Sequence, residues 1–274
     1  MKFMIRSDLE GVTGVTTYNQ AENSKFGKLM LENDLNSCIE GLLLTGDHEI
    51  VIYDEHTDGR NINIINLPSN VSVICGKPLY QKNWAGGLDS SFDAMIMIGF
   101  HARAGITNAL LPHSYSHYNL NIYINNIIVG EIGMEVAIAG DFGVPLWLIT
   151  GDSAGIKEAN EFVQNISTVI VKEAIDEFTA KCFSPKLTSK MIYEAAVNIV
   201  RNHPKVSPRR FREPVELKID LAKSNFTEVM KTFYKELFIN SNTLCINAKS
   251  VVEAWSEYLY IEKKVSTILK DCKK

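Results

Sequence analysis

The chain has 274 residues, of which 46% are hydrophobic and 22% charged, a composition typical of a globular protein with a sizeable core. Its formal net charge of −4 argues against a nucleic-acid partner, which usually requires a basic surplus. The five cysteines are scattered without a Cys-x-x-Cys pair, which argues against a disulfide framework or a thiolate zinc site. The sequence shows no signal-peptide pattern and no apolar run of membrane-spanning length, so we expect a cytoplasmic protein without a membrane partner.

The first part of the chain predicts alternating strands and helices. Residues 2–7 are typical of a short buried strand, and residues 26–45 repeat apolar side chains at helical spacing up to Gly46. Residues 49–53 predict the next strand, and this β-α-β order predicts parallel pairing. Further along we expect strands at 71–75, 93–98 and 144–150, a hairpin at 120–129 with Asn125-Asn126 as its turn, and a helix at 155–164.

The second part of the chain has a different pattern. Strict alternation of apolar and polar residues at 215–221 predicts a half-exposed strand. Around it we expect helices at 187–201, 226–238 and 250–269 and a strand at 243–247. The predicted fold class is therefore α/β, with a mostly parallel sheet domain carrying helices on both faces (residues 1–185) and a smaller α+β lobe (residues 186–274). The apolar side of the last helix is wide; it either covers the sheet of the small lobe or serves self-association.

Polar side chains collect where the predicted parallel strands end. Asp8 and Glu10 follow the first strand, and their i, i+2 spacing places both carboxylates on one side of an extended segment. His56 follows the second strand within the string Asp-Glu-His, and His101 follows the strand at 93–98. Ligands of open parallel sheets bind beyond the carboxyl ends of the strands, so these groups should converge. Oxygen and nitrogen ligands without thiolates favour zinc or a similar transition metal.

Each of these residues taken alone has an ordinary structural explanation. An Asp-x-Glu at a strand end is more often a helix cap or a salt-bridge partner, and a lone histidine is more often a surface or core residue. Recurrence favours a site, because His56, His101, His113 and His117 all lie in segments that follow predicted strands. His113 could act as a proton shuttle or be an inert loop residue. Glu131 stands between two glycines that permit a close approach to a metal centre or to another strand.

Together these motifs resemble a known family. The strings at 7–11, 54–56, 99–104, 113–114 and 129–133 occur in the order and approximate spacing of the zinc-dependent D-aminopeptidases of the DppA type. The resemblance extends over the whole chain, although the second half carries fewer diagnostic residues. Asp-x-Glu-Gly alone is a weak motif, whereas the ordered set is specific.

The resemblance implies a centre of two zinc ions per chain. Asp8 would bridge the ions, and Glu10, His56, His101 and Glu131 would complete the set of protein ligands. His113 corresponds to the family's catalytic residue, described as a nucleophile; a role as general base or as a donor to the oxyanion is chemically as plausible. The family further implies short peptide substrates and a ring-like homo-oligomer, a decamer, that encloses the active sites.

We therefore expect a zinc metallo-aminopeptidase that removes the N-terminal residue of short peptides containing D-amino acids. Two alternatives remain open from the sequence. A dimetal phosphoesterase or amidohydrolase would use the same kinds of ligands. A non-catalytic peptide-binding protein is the alternative of another class, and the complete ligand set together with His113 argues against it.

Overall fold

The protein is built around a seven-stranded sheet with the order β3-β2-β1-β4-β7-β8-β9. The structure is a computed structural model that describes residues 1–78 and 81–271. Neighbouring strands of this sheet pair in parallel except β8 and β9, which are antiparallel. The strands are β1 (Lys2–Ser7), β2 (Glu49–Asp54), β3 (Val71–Ile74), β4 (Ala94–Phe100), β7 (Leu146–Asp152), β8 (Ser167–Ala174) and β9 (Ala180–Cys182).

Helices cover this sheet, as expected for parallel strands that are buried on both faces. Helices α2 (Lys25–Leu43) and α5 (Pro185–Asn202) pack against each other and against the sheet. The short helix α1 (Tyr18–Asn23) precedes α2 in the chain. Helices α3 (Glu131–Asp141) and α4 (Ser153–Phe162) form a second contacting pair. The predicted α/β class with a mostly parallel, helix-flanked sheet is confirmed. Among the described residues, no helix is both long enough and apolar enough to span a membrane.

A smaller antiparallel sheet has the order β11-β10-β5-β6. The predicted hairpin forms β5 (Asn119–Ile124) and β6 (Ile127–Val129), with both turn asparagines at positive φ. It pairs with β10 (Val215–Leu221), so a hairpin that lies in sequence within the proposed first domain (1–185) contributes to the sheet of the proposed second one. The sheet is completed by β11 (Thr243–Ala248) and accompanied by α6 (Asn225–Phe233), a 3-10 turn (Lys235–Leu237) and α7 (Val251–Asp271).

The last helix buries its apolar side. Val252, Trp255, Tyr258 and Ile261 are each almost fully buried, and α7 packs against β10, β11, α3 and α6. Of the two explanations for its wide apolar surface, covering the small sheet accounts for these side chains. Residues 272–274, the end of the proposed second domain, lie outside the described part of the chain.

A buried carboxylate joins the first helical layer to the loop after β1. Asp34 on α2 accepts hydrogen bonds from the backbone N–H of Thr13 at 3.0 Å and from its hydroxyl at 2.9 Å. The same hydroxyl lies 3.0 Å from that of Thr188 on α5. Burial raises the pKa of Asp34 to about 6, and the Thr13 hydrogen bonds oppose this rise only in part.

We expect Asp34 to make the protein less stable as the pH rises from about 4 to 6. In this window the folded state keeps a proton that the unfolded chain, with a pKa near 3.8, has released, so the free energy of unfolding falls. The decline amounts to about 3 kcal/mol at most, because a tenfold change in a protonation equilibrium corresponds to about 1.4 kcal/mol. Denaturant titrations at several pH values should show that Asp34→Asn removes this decline. Parallel pH profiles of variant and wild type would contradict the assignment.

Candidate active site

The loop after β1 lies against the end of β4, where the strand order of the large sheet reverses direction. Strands β2 and β3 lie on one side of β1, and β4, β7 and β8 lie on the other. Ligands of such sheets bind at the point between β1 and β4 where the order reverses. The backbone N–H groups of Asp8 and Gly11 donate to the carbonyls of Ile98 and Gly99 at 2.9 and 2.7 Å. A Cβ on Gly11 would stand 1.9 Å from the Phe100 carbonyl oxygen, so only glycine permits this approach.

The first group of candidate ligands consists of Asp8, Glu10 and His56, all buried, with one ligand atom from each within 4.8 Å of the others. His56 Nδ1 lies 3.0 Å from Asp8 Oδ1 and 3.1 Å from Glu10 Oε2. The segment that carries the two carboxylates is a bend and turn rather than the extended segment expected from their spacing. Folding of the loop back onto β4 nevertheless brings both carboxylates to the same imidazole.

The second group consists of His101, His113 and Glu131, which meet the same 4.8 Å criterion. His101 Nε2 lies 3.4 Å from Asp8 Oδ2 and 3.5 Å from Glu131 Oε1, so His101 stands between the two groups. The rings of His101 and His113 stack with centroids 4.3 Å apart and an interplanar angle of 5°. The structure therefore brings together all six residues that the sequence nominated: Asp8, Glu10, His56, His101, His113 and Glu131.

The donors fit a bound cation. His101 Nδ1 lies 2.9 Å from the Ala102 carbonyl; this contact requires a proton on Nδ1, and in the neutral ring it leaves the Nε2 lone pair facing two carboxylates. Among the described residues, Asp8 Oδ2, His56 Nε2 and His101 Nε2 are buried without a hydrogen-bond partner. Acceptors turned towards acceptors in a buried space are a costly arrangement that a metal ion would relieve.

The pKa values of the same groups show the excess of negative charge. Burial lowers the pKa of His56, but the hydrogen bonds with Asp8 and Glu10 outweigh it and raise that pKa to about 10. Burial raises the pKa of Asp8, yet the hydrogen bond with His56 and the charge of His101 hold it well below its usual range. The carboxylates thus attract positive charge strongly, which is the electrostatic property of a metal site.

The loop around His113 fixes the orientation of its ring. Leu111 adopts φ 50°, rare for a side chain of this kind, and its carbonyl oxygen lies 3.0 Å from His113 Nδ1. With the Nδ1 proton held by this carbonyl, Nε2 carries the lone pair and lies 3.6 Å from Glu131 Oε1. Tyr18 packs edge-on against both His113 and His117, with centroid distances of 5.7 and 5.5 Å.

Other polar residues support the ligands and were not found from the sequence. Glu131 begins α3 and accepts a hydrogen bond from the Tyr115 N–H at 2.6 Å. Gly130 lies just before this helix and close to Arg103. A Cβ on Gly130 would stand 2.4 Å from the Arg103 side chain, so the close approach that the glycine permits is to Arg103. Lys172 on β8 is fully buried and donates to the carbonyls of Glu10, Val12 and Val15 at 2.6, 2.7 and 2.5 Å.

The three consecutive residues Asp54, Glu55 and His56 have different partners in the structure. Asp54 accepts hydrogen bonds from the backbone and side chain of Asn61 and so closes the following loop. Glu55 turns away and pairs with Arg6, so only His56 reaches the ligand cluster. His48 lies apart from this cluster, with its Nδ1 3.1 Å from the N-terminal amine.

Buried carboxylates and imidazoles gathered near the carboxyl ends of parallel strands form a candidate metal site of the kind that metal-dependent hydrolases use. Comparison with known proteins identifies the family within this class. The family model described as D-aminopeptidase, peptidase family M55, matches residues 1–259. The D-aminopeptidase of Bacillus subtilis (strain 168) is 29% identical over 266 residues, which cover 94% of this chain and 96% of that protein.

A solved structure agrees with these sequence matches. The Zn-dependent D-aminopeptidase DppA from Bacillus subtilis, a self-compartmentalizing protease, superposes with a TM-score of 0.88 at 27% identity, covering 97% of this chain and 98% of that one. The chain belongs to the D-aminopeptidase family and is a metal-dependent aminopeptidase. Of the functions that the sequence left open, peptide hydrolysis is the one that the family assignment selects.

Proposed function

We propose that the protein binds two zinc ions per chain and removes N-terminal D-amino acids from short peptides. The proposed ligands are Asp8 between the ions, with Glu10, His56, His101 and Glu131 completing the set. The observation that carries this proposal is the pair of adjoining ligand groups, linked by the 3.4 Å approach of His101 to Asp8. Zinc is supported by the oxygen and nitrogen donors and by the Zn-dependent relative of the same fold.

When bound, such ions polarise a carbonyl group and lower the pKa of a water molecule. The protein contributes fixed acceptors. Asp8 and Glu10 are held by the turn after β1, and the Lys172 ammonium fixes the carbonyl of Glu10 itself. Glu131 is held by the Tyr115 N–H and by its position at the start of α3, where the helix dipole stabilises a negative charge.

We propose His113 as the catalytic residue. Its Nδ1 is engaged by Leu111, so the neutral ring presents a lone pair at Nε2 and can take a proton from the attacking water. The protonated ring then carries an Nε2–H that can donate to the tetrahedral oxyanion or return the proton to the departing amine. The contact with Leu111 favours the role of general base over that of a neutral hydrogen-bond donor, because the neutral donor would need the other tautomer.

The remaining parts of the proposal concern substrate size, assembly and location. The relative of known structure is a self-compartmentalizing protease, and we propose that this chain likewise forms a ring-like homo-oligomer, a decamer, which admits only short peptides. Enclosure would explain how a hydrolytic centre in the cytoplasm, the proposed location, spares folded proteins. We also retain the division into a catalytic domain (1–185) and a lobe (186–274) that contributes to the substrate pocket and to assembly.

A single preparation tests the metal site and the activity. Elemental analysis of the zinc-reconstituted protein should give about two ions per chain, the usual number for a dinuclear hydrolase, and Asp8→Ala should lower it. Dipeptides supplied as D,L pairs at the first residue should be cleaved faster in the D form, and light scattering of the same sample gives the mass of the assembly. A native protein that resists metal reconstitution would sink the proposal.

A further inference from the structure

The loop that carries His113 is strained at two residues with bulky side chains. Leu111 has φ 50° and Tyr115 has φ 60°, in the left-handed region that such residues rarely adopt. A residue keeps this conformation only where the surrounding structure holds it. At Leu111 the conformation accompanies the contact of the carbonyl with His113 Nδ1. At Tyr115 it accompanies two further contacts, one from the backbone and one from the side chain.

The backbone N–H of Tyr115 acts on a single carboxylate oxygen. It donates to Glu131 Oε1 at 2.6 Å. The same oxygen lies 3.5 Å from His101 Nε2 and 3.6 Å from His113 Nε2. A displacement of this N–H would therefore release the oxygen that faces both imidazoles.

The Tyr115 side chain is fixed at its hydroxyl and at its ring. The hydroxyl donates to Glu135 Oε1 at 2.9 Å, and the other oxygen of this carboxylate lies 2.8 Å from the Arg6 guanidinium. Burial and the charge of Glu135 raise the pKa of Tyr115 well above its usual value, so the hydroxyl remains a donor. The ring packs on that of Trp255, with centroids 4.5 Å apart.

Both contacts of Tyr115 end on the same helix. Glu135 lies four residues after Glu131 on α3, so the two carboxylates are on one face of that helix. The hydroxyl and the N–H of Tyr115 thus clamp the loop onto α3 at two points. Because His113 precedes Tyr115 by two residues, the same clamp limits where the His113 ring can lie.

We infer that Tyr115 is a positioning residue, whose hydroxyl, held by Glu135, keeps Glu131 and His113 in place for the reaction. The inference rests on the proposed function, in which Glu131 is a metal ligand and His113 is the catalytic residue. Tyr115 acts through these two residues and does not touch the substrate. Groups that orient a metal ligand change metal affinity or activity by about 10–100-fold when they are removed.

Tyr115→Phe tests the inference because it keeps the ring against Trp255 and removes only the anchor at Glu135. With saturating zinc, kcat on a D-residue dipeptide should fall about tenfold or more. The KM should stay within about twofold of wild type, since no contact with the substrate is lost. Competition with a chelator should show zinc bound about tenfold more weakly, because Glu131 is held less firmly.

Tyr118→Phe is the matched control. Tyr118 lies in the same loop, is 41% exposed, and stacks on Phe226 with a ring that the substitution keeps. Its kcat, KM and zinc affinity should equal those of wild type. Thermal unfolding of each variant shows whether the fold is retained.

Two substitutions of Glu135 separate positioning from packing. Glu135→Gln keeps an oxygen that can accept from the Tyr115 hydroxyl, whereas Glu135→Leu has a similar size and no acceptor. Both remove the charge beside Arg6, so their difference reports the hydrogen bond to Tyr115. Glu135→Leu should reproduce the loss of kcat, and Glu135→Gln should recover most of it. Adding Tyr115→Phe to Glu135→Leu should cause no further loss.

Several results would overturn the inference. They are near-native kcat and zinc affinity in Tyr115→Phe, a loss confined to KM, and additive losses in the double variant. His113→Ala and Asp8→Ala distinguish this failure from that of the proposed function. If those two variants lose turnover and zinc as expected while Tyr115→Phe does not, only the positioning role fails. If they behave like wild type, the proposed function fails and the positioning role fails with it.

Discussion

Replacing His113 by Ala should lower turnover by about two orders of magnitude or more, the usual contribution of a general acid–base group or oxyanion donor. The proposed ligands Asp8, Glu10, His56, His101 and Glu131 are untouched by this change, so the metal content should stay the same. Steady-state kinetics on a D-residue dipeptide, with elemental analysis of the same sample, measures both quantities.

The matched control is His117→Ala. His117 lies 5.8 Å from His113 between ring centroids and contacts the same Tyr18 ring, so it reports the effect of disturbing the aromatic cluster alone. Its turnover should remain within a few-fold of wild type. If His113→Ala retained near-native turnover while His117→Ala did not, His117 would be the catalytic histidine.

Replacing Lys172 by Met should destabilise the protein by roughly 2–5 kcal/mol. The change removes a buried donor from the carbonyls of Glu10, Val12 and Val15, and each buried acceptor left unsatisfied costs about 1–3 kcal/mol. The loss is reduced where another donor remains, as at Val12, whose carbonyl also accepts from the Val15 N–H at 3.2 Å. Urea denaturation of both proteins gives the difference.

The same variant should bind metal more weakly, because Lys172 holds the loop that carries Asp8 and Glu10. Competition with a chelator measures this effect separately from stability. Lys181→Met on neighbouring β9 is the control. Its ammonium is exposed, pairs with Glu173 at the surface and lies 5.5 Å from the centroid of the Phe183 ring, so its loss should cost within about 0.5 kcal/mol. Equal effects of the two substitutions would contradict the role assigned to Lys172.

Strand-end reasoning predicted that these residues converge, because the prediction depends only on sheet topology. Once residues 2–7, 49–53 and 93–98 are parallel strands of one sheet, the residues that follow them must lie along one edge. Asp8, His56 and His101 satisfy this condition. Glu131 does not follow a strand of the large sheet; its flanking glycines only indicated a close approach, and its place in the predicted ligand set came from the family resemblance.

Elements without a visible periodicity were missed. Every residue of α3 from Glu131 to Gly140 is buried, so the helix has no polar face that would reveal a 3.6-residue repeat. Strand β8 contains the buried charge of Lys172, which breaks the apolar run that predicts an interior strand. The predicted helix at 226–238 ends earlier, at Phe233, and continues as a 3-10 turn.

Long-range pairs of buried charges could not be predicted either. Arg6, Glu55 and Glu135 are separated widely along the chain and meet only because β1 and β2 are neighbours and α3 lies beside them. No local spacing distinguishes Glu55 from its neighbours in the string Asp-Glu-His. The free energy of such a cluster depends on tertiary burial, which a single sequence does not display.

The hairpin formed by β5 and β6 divides the candidate site residues between the surroundings of the two sheets. Asp8, Glu10, His56 and His101 are attached directly to strands of the large sheet, whereas His113 and Glu131 lie on either side of the hairpin that pairs with β10. A slide of one sheet against the other would shift the stacked His101 and His113 rings and the approach of Glu131 to His101 before it disturbed the other ligands. The two sheets therefore have to keep their relative position for the stacked histidine rings and the approach of Glu131 to His101 to persist.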